Sequence, residues 1–348
     1  MTSYRDRCHA KSIESINSKK VYLDTKYWLI LRDVHRGITS DTAKLRLYNL
    51  VMNLAESGKM IFPFSESHFE EFLKQTSPES LESTLSLVYL LSRNTAIRPY
   101  RERVVVEFEF MLRFLLDPEG MKGHNLELCS QHIWTCVAYG WGKFTVVDTG
   151  EQNRTYDNKV QDVYFDNSIG LATYLEHLQH NSEFVNSFPD PTQKILNRRK
   201  SRSGRINEIL VHELKSEIIE HKCDILNAIS NTVENYTVDQ ANSIMNILFE
   251  RKCANTLDDL IPSMNTFSTI CATWIISQNK NININDFFDM HHAASALPYF
   301  DLFLTEKSLS DAINRVLPKY LPFQHVKVYA NIDSAIEALI ILSETSDN

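Results

Sequence analysis

Apolar and polar positions follow two alternating regimes along this chain. Near its start the short run Val21-Tyr22-Leu23 stops at Asp24 and reads as a buried strand of β-branched and aromatic residues. From Ser40-Asp41, which offer an N-cap, to about Glu56 the spacing becomes helical, and Gly58 stands where the helix should end. Leu47, Val51 and Leu54 form one stripe of this helix and Leu45, Tyr48 and Met52 another, so both faces are expected to be buried. Met60 to Phe64 is a second strand, and Ser65 can cap a helix whose apolar face is Phe69, Phe72 and Leu73. The strand–helix–strand–helix order predicts parallel pairing.

From about Arg93 to Ile261 the pattern is mostly helical. Leu210, Leu214 and Ile218 recur at spacing four within 206–229, and Ala241, Met245 and Leu248 mark a helix over 238–252. Polar loops over 148–166 and 188–205 interrupt the stretch. Strand–helix alternation then returns. An Asn-rich loop leads to a helix over 286–297, which Pro298 should break. Strands follow at 302–305 and 326–329, and an amphipathic helix at 332–342. The prediction is an α/β fold, a parallel sheet flanked by helices. Residues 1–92 and 262–348 form its two halves, and 93–261 a mainly α-helical insertion.

Composition supports this class. The chain has 348 residues, enough for a large core, and only 9 glycines and 10 prolines, which disfavours a turn-rich all-β fold. Its formal net charge of −8 means that any nucleic-acid contact must come from a local basic patch. Cys8, Cys129, Cys136, Cys223, Cys253 and Cys271 form no C-x-x-C pair and read as buried thiols of a reducing compartment. The opening MTSYRDRCHAKS lacks an apolar core, and no run approaches the roughly 20 apolar residues of a membrane span. A cytoplasmic protein with no membrane association is expected.

Acids stand at the edges of the predicted elements. Asp24 ends the first strand, Glu66, Glu70 and Glu71 lie on the helix after Ser65, and Asp289 opens Asp289-Met290-His291-His292-Ala293-Ala294. Asp301 and Glu306 bracket Leu302-Phe303-Leu304-Thr305. Carboxylates gathered at strand ends repel one another unless a cation relieves the charge, and hard ions such as Mg²⁺ and Mn²⁺ prefer carboxylate and water oxygens. C-terminal strand edges are where open α/β sheets collect ligands.

In their order, VYLDT, SESHFEE, D-x-x-x-A-A and LTE, these motifs resemble the PIN domain, a metal-dependent nuclease family, over roughly 20–90 and 262–345. The resemblance implies an endoribonuclease with Asp24 and Asp289 on Mg²⁺ or Mn²⁺. Glu71, Glu306 and Asp301 would complete the cluster, with catalytic roles for Asp24, Glu71, Asp289 and Glu306. It departs from the family in placing Glu306, not an aspartate, after the threonine, and in the long insertion. Glu66 and Glu70 remain alternatives to Glu71. By analogy alone, a toxin or defence role would follow.

Arg198, Arg199, Lys200, Arg202 and Arg205 put five basic residues within eight and no acid, a candidate for phosphate contact or a solvated loop. His291 and His292 lack the further His or Cys spacing that zinc requires, so core imidazoles are expected. His68 receives no role. RNA is the expected partner. A DNA or flap-type nuclease and a non-catalytic PIN-like interaction module are the rival readings. The insertion offers a surface for a protein partner or a second copy.

Overall fold

The computed structural model describes residues 18–72, 74–75, 77–93, 95–120, 131–132, 144–147, 153–156, 195–197, 205–233, 237–254, 260–277, 283–315, 317–321 and 326–345. In chain order the elements are β1 (Lys19–Leu23), α1 (Thr25–His35), α2 (Thr42–Glu56), β2 (Met60–Ile61), α3 (Glu66–Phe72), α4 (Pro78–Ser92), β3 (Ala96–Ile97) and α5 (Tyr100–Leu116). Next come β4 (Gln131–His132), β5 (Phe144–Val147), β6 (Asn153–Tyr156), α6 (Ile206–Glu220), α7 (Lys222–Thr232), α8 (Val238–Cys253), α9 (Pro262–Ile276) and α10 (Ile284–Tyr299). The chain closes with β7 (Leu302–Leu304), α11 (Lys307–Arg315), a 3₁₀ turn (Leu317–Lys319), β8 (Lys327–Tyr329) and α12 (Ile332–Glu344). The protein is mostly helical with a small parallel sheet of four strands, α/β in the coarse sense.

Two compact units divide the chain. The first is Met1–Pro99, Gln131–Phe188 and Ala330–Asn348; the second is Tyr100–Ser130 and Pro189–Tyr329.

In the first unit β1 and β2 pair in parallel, Lys19 with Met60 and Lys20 with Ile61. Pro63 has no N–H to extend β2. Phe64 instead makes an isolated parallel bridge to Ala96, donating to Thr95 O at 3.1 Å while Ile97 N donates to Phe64 O at 2.8 Å. β3 pairs antiparallel with β4, and β5 with β6. Asp41 caps α2 through Ala43 N at 2.9 Å and Lys44 N at 3.2 Å, which contributes about 1 kcal/mol. The α2 exit needs Gly58. Its φ is +73°, and a Cβ there would stand 3.3 Å from the Arg93 guanidinium. Only one α2 stripe is fully buried, Leu47, Val51 and Leu54; Leu45, Tyr48 and Met52 are half-buried, correcting the expectation for two buried faces. α1 and α12 both pack on α2. The core gathers Val21, Tyr22 and Leu23 of β1 with Tyr27, Trp28 and Leu31 of α1 and Phe64, Phe69 and Phe72. Each such side chain contributes about 1.5–3 kcal/mol by leaving water.

The second unit is a helical assembly that also carries β7 and β8, parallel with Leu302 opposite Lys327 and Leu304 opposite Tyr329. α5 packs on α7, and α9 packs on α6 and α10. α9 is buried along nearly its whole length despite its serines and threonines. Three of their hydroxyls turn back on the helix itself, Ser268 to Asn265 O at 3.2 Å, Thr269 to Asn265 O at 2.6 Å and Thr273 to Ile270 O at 2.8 Å. The helix expected over 206–229 is two helices joined at His221, whose ring lies 3.8 Å from both Glu217 and Asp224. Pro298 does not break α10 but sits inside its last turn. Of the thiols, Cys271 is buried but Cys223 and Cys253 are exposed, contrary to the buried reading; Cys8, Cys129 and Cys136 lie outside the described residues. Among the described residues no helix is long and apolar enough to cross a membrane.

Candidate active site

The acidic edge of the first unit begins where β1 becomes α1. β1 ends at Leu23, and Asp24 is the N-cap of α1, its Oδ1 accepting from Tyr27 N at 3.4 Å. Asp24 is only 3% exposed. The positive end of the α1 dipole lowers the cost of holding that carboxylate inside. Its charge is felt nearby. The Tyr27 hydroxyl is held well above the usual phenol range, first by burial and then by Asp24.

Thr25, the next residue, donates its hydroxyl to the Glu71 carboxylate. Glu71 lies on α3 and is half-buried. This bond ties Glu71 to the residue beside Asp24. Lys74 lies just past the end of α3; partial desolvation lowers its ammonium's pKa, while Glu71 and then Glu70 act in the opposite sense. Asp24, through its place in the chain, and Glu71, through Thr25, thus bring two carboxyl-bearing residues to neighbouring points of the β1–α1 junction.

His68, left without a role from sequence and expected on the helix surface, is fully buried. Its Nε2 lies 2.5 Å from Leu23 O and its Nδ1 3.1 Å from Ser65 N and 2.9 Å from Ser65 Oγ. The Ser65 hydroxyl is in turn 2.6 Å from Tyr22 OH. The anticipated cap residue Ser65 is therefore engaged with this imidazole.

The second unit carries the other predicted acids. Asp289 is half-buried in the second turn of α10, not at its start. Asn283 caps that helix, and Asp286 is the acid of its first turn. The positive end of the α10 dipole therefore favours the charge of Asp286. Asp301 precedes β7, is half-buried, and its carbonyl accepts from Lys327 N at 3.4 Å. Glu306 follows β7 and the buried Thr305, and is exposed immediately before α11. Asp301 and Glu306 thus flank opposite ends of a three-residue strand.

A buried polar cluster of this unit was not anticipated. Glu107 of α5 is fully buried and accepts from Ser263 N, at 3.1 and 3.2 Å to its two oxygens, and from the Tyr299 hydroxyl. Arg103, one turn earlier, donates to Ser263 Oγ at 3.1 Å. Burial raises the Glu107 carboxyl to about 7, against the opposing pull of Ser263, Tyr299 and Arg103. Tyr100 donates to Glu217 at 3.3 Å, and Cys271 donates its thiol to Glu213 at 3.3 Å. The signal was present in sequence. Tyr100, Arg103, Val104, Glu107, Phe108 and Met111 follow the spacing of one buried helix face, with charges in core positions.

His291 packs against the rings of Tyr100, Phe267 and Phe287, and burial with the neighbouring Arg103 holds its imidazole far below its ordinary pKa. His292 is buried. Among the described residues no group of three or more His, Cys, Asp or Glu side chains is arranged to hold a metal ion. Arg205 is exposed at the start of α6, its N–H bonded to Glu208 at 3.2 Å. Arg198, Arg199, Lys200 and Arg202 lie outside the described residues. No protein-family model matches the chain, and comparison with curated proteins and with solved structures finds no match.

Proposed function

We propose that the protein is a PIN-like metal-dependent endoribonuclease whose acidic edge is formed by Asp24 and Glu71. The observation that carries this reading is the anchoring of the Glu71 carboxylate to Thr25, directly beside the buried Asp24 at the end of a parallel strand. Asp24 and Glu71 would hold Mg²⁺ or Mn²⁺. Such an ion, when bound, polarises a phosphodiester oxygen and lowers the pKa of water. The protein's own part is to fix two carboxylates in place. The α1 N-terminus favours the charge of Asp24, and the Thr25 hydroxyl orients Glu71. Hydrolysis forms a bond from the water oxygen to phosphorus and breaks the bond from phosphorus to the leaving sugar oxygen. That oxygen takes up a proton, leaving one phosphorylated and one hydroxyl end. The resemblance also assigns Asp289, Asp301 and Glu306 to metal binding, and each is open to separate substitution.

The test is direct. The purified chain is incubated with RNA, single-stranded DNA and duplex DNA in Mg²⁺, Mn²⁺ or chelator. Metal-dependent cleavage of RNA is the expected result. Cleavage of DNA alone selects the DNA-directed nuclease reading. No cleavage and no cation binding leave a PIN-like interaction module.

A further inference from the structure

We infer that His68 is a positioning residue for the acidic edge, fixing the main chain at Asp24 against the helix that carries Glu71 and thereby setting divalent-cation affinity. This rests on the metal-dependent reading given above. The Ser65 amide 3.1 Å from Nδ1 can only donate, so Nδ1 accepts and the ring proton sits on Nε2. Nε2–H therefore donates to Leu23 O, the carbonyl immediately before Asp24. The ring is stacked on Tyr22 at 4.9 Å and on Phe64 at 5.5 Å, with Trp28 edge-on at 6.1 Å. It thus touches β1, α1 and the segment that leads into α3.

Two clamps result. His68 grips the chain at Leu23, and Glu71 grips it at Thr25. His68 and Glu71 are three apart on α3 and so lie on one face of that helix. Asp24 lies between the two gripped residues. A phenyl ring would fill the same volume but leave the Leu23 carbonyl without this donor and the Ser65 amide without this acceptor. Buried polar networks with their members satisfied fix one arrangement where apolar packing tolerates several. The imidazole is the ring that packs here while bonding at both ends.

Two substitutions divide the role. His68→Gln keeps an amide N–H near the Nε2 position and so a donor for Leu23 O. His68→Asn keeps an acceptor near Nδ1 and loses that donor. Both remove the ring stacking. Mn²⁺ affinity is measured by titration calorimetry on the full chain, and stability by urea unfolding. The expected result is a Mn²⁺ affinity about 10–100-fold weaker in His68→Asn, the range for groups that orient metal ligands, with His68→Gln within about threefold of wild type at similar loss of stability. Equal affinities in the two variants, whether lowered or unchanged, overturn the assignment and make His68 a core residue only. Should either variant not fold, Thr25→Val tests the second clamp; it should weaken Mn²⁺ at least about tenfold, and unchanged affinity overturns the arrangement. A wild-type chain that binds no Mn²⁺ overturns the metal-dependent reading itself, a result distinct from wild-type binding with His68→Asn unaffected.

Discussion

The Thr25 hydroxyl donates to the Glu71 carboxylate, so an acid of α3 is secured to the residue that follows the strand-ending Asp24. Forty-six positions separate the two partners in the chain. Their bond makes Glu71, of the three glutamates on α3, the one tied to Thr25.

Asp24→Asn isolates the charge from the cap. Asparagine caps a helix about as well as aspartate, so stability should change by no more than about 0.5 kcal/mol. Mn²⁺ affinity and RNA cleavage should fall at least about 100-fold, because the amide keeps the shape and loses the negative charge. Calorimetric titration with Mn²⁺ beside urea unfolding separates the two effects. Full cleavage by this variant is incompatible with the proposed site.

Glu107 gives the second unit a pH signature. Its folded carboxyl is raised to about 7 from an ordinary value of 4.5, so the fold favours the protonated form. That stabilisation is fully present below about pH 4.5 and is lost as pH rises through about 7. The cost at higher pH is on the order of 3 kcal/mol. Glu107→Gln keeps an oxygen to accept from Tyr299 and Ser263 and removes the titration. Urea unfolding from pH 5 to 8 should show a declining stability in wild type and a flatter profile in the variant. Parallel profiles would mean that the carboxyl is not titrating in this range.

Neutralising Arg198, Arg199, Lys200, Arg202 and Arg205 should weaken RNA binding across sequences. If all five charges meet phosphates of a single strand, the log–log slope of affinity against salt should become shallower by roughly 3.5. Binding isotherms from low to moderate salt measure it, and an unchanged slope identifies the cluster as a solvated loop.

Sequence pattern revealed what depends on local spacing. VYLD gave β1 and its terminal acid, Asp41 and Gly58 bracketed α2, and the LFL run is β7. α1 has no counterpart among the expected elements although Tyr27, Leu31 and Val34 recur at helical spacing, because its N-cap Asp24 is at the same time the residue that ends the apolar run of β1. His68 could not be read at all from one dimension. Its bonding partner is a carbonyl 45 positions away, and nothing in SESHFEE distinguishes a buried imidazole from a surface one. Glu107 was within reach, because a carboxylate on the buried face of a helix must find a partner or a proton.

The packing of α12 on α2 sets an order for biosynthesis. Residues 42–56 leave the ribosome early, yet the helix that covers them comes from 332–344, after every segment of the second unit. Domains tend to fold as units as they emerge, N-terminal first. Here the unit that starts the chain is completed last, so a nascent chain stopped short of residue 332 carries the acidic edge on an unfinished scaffold.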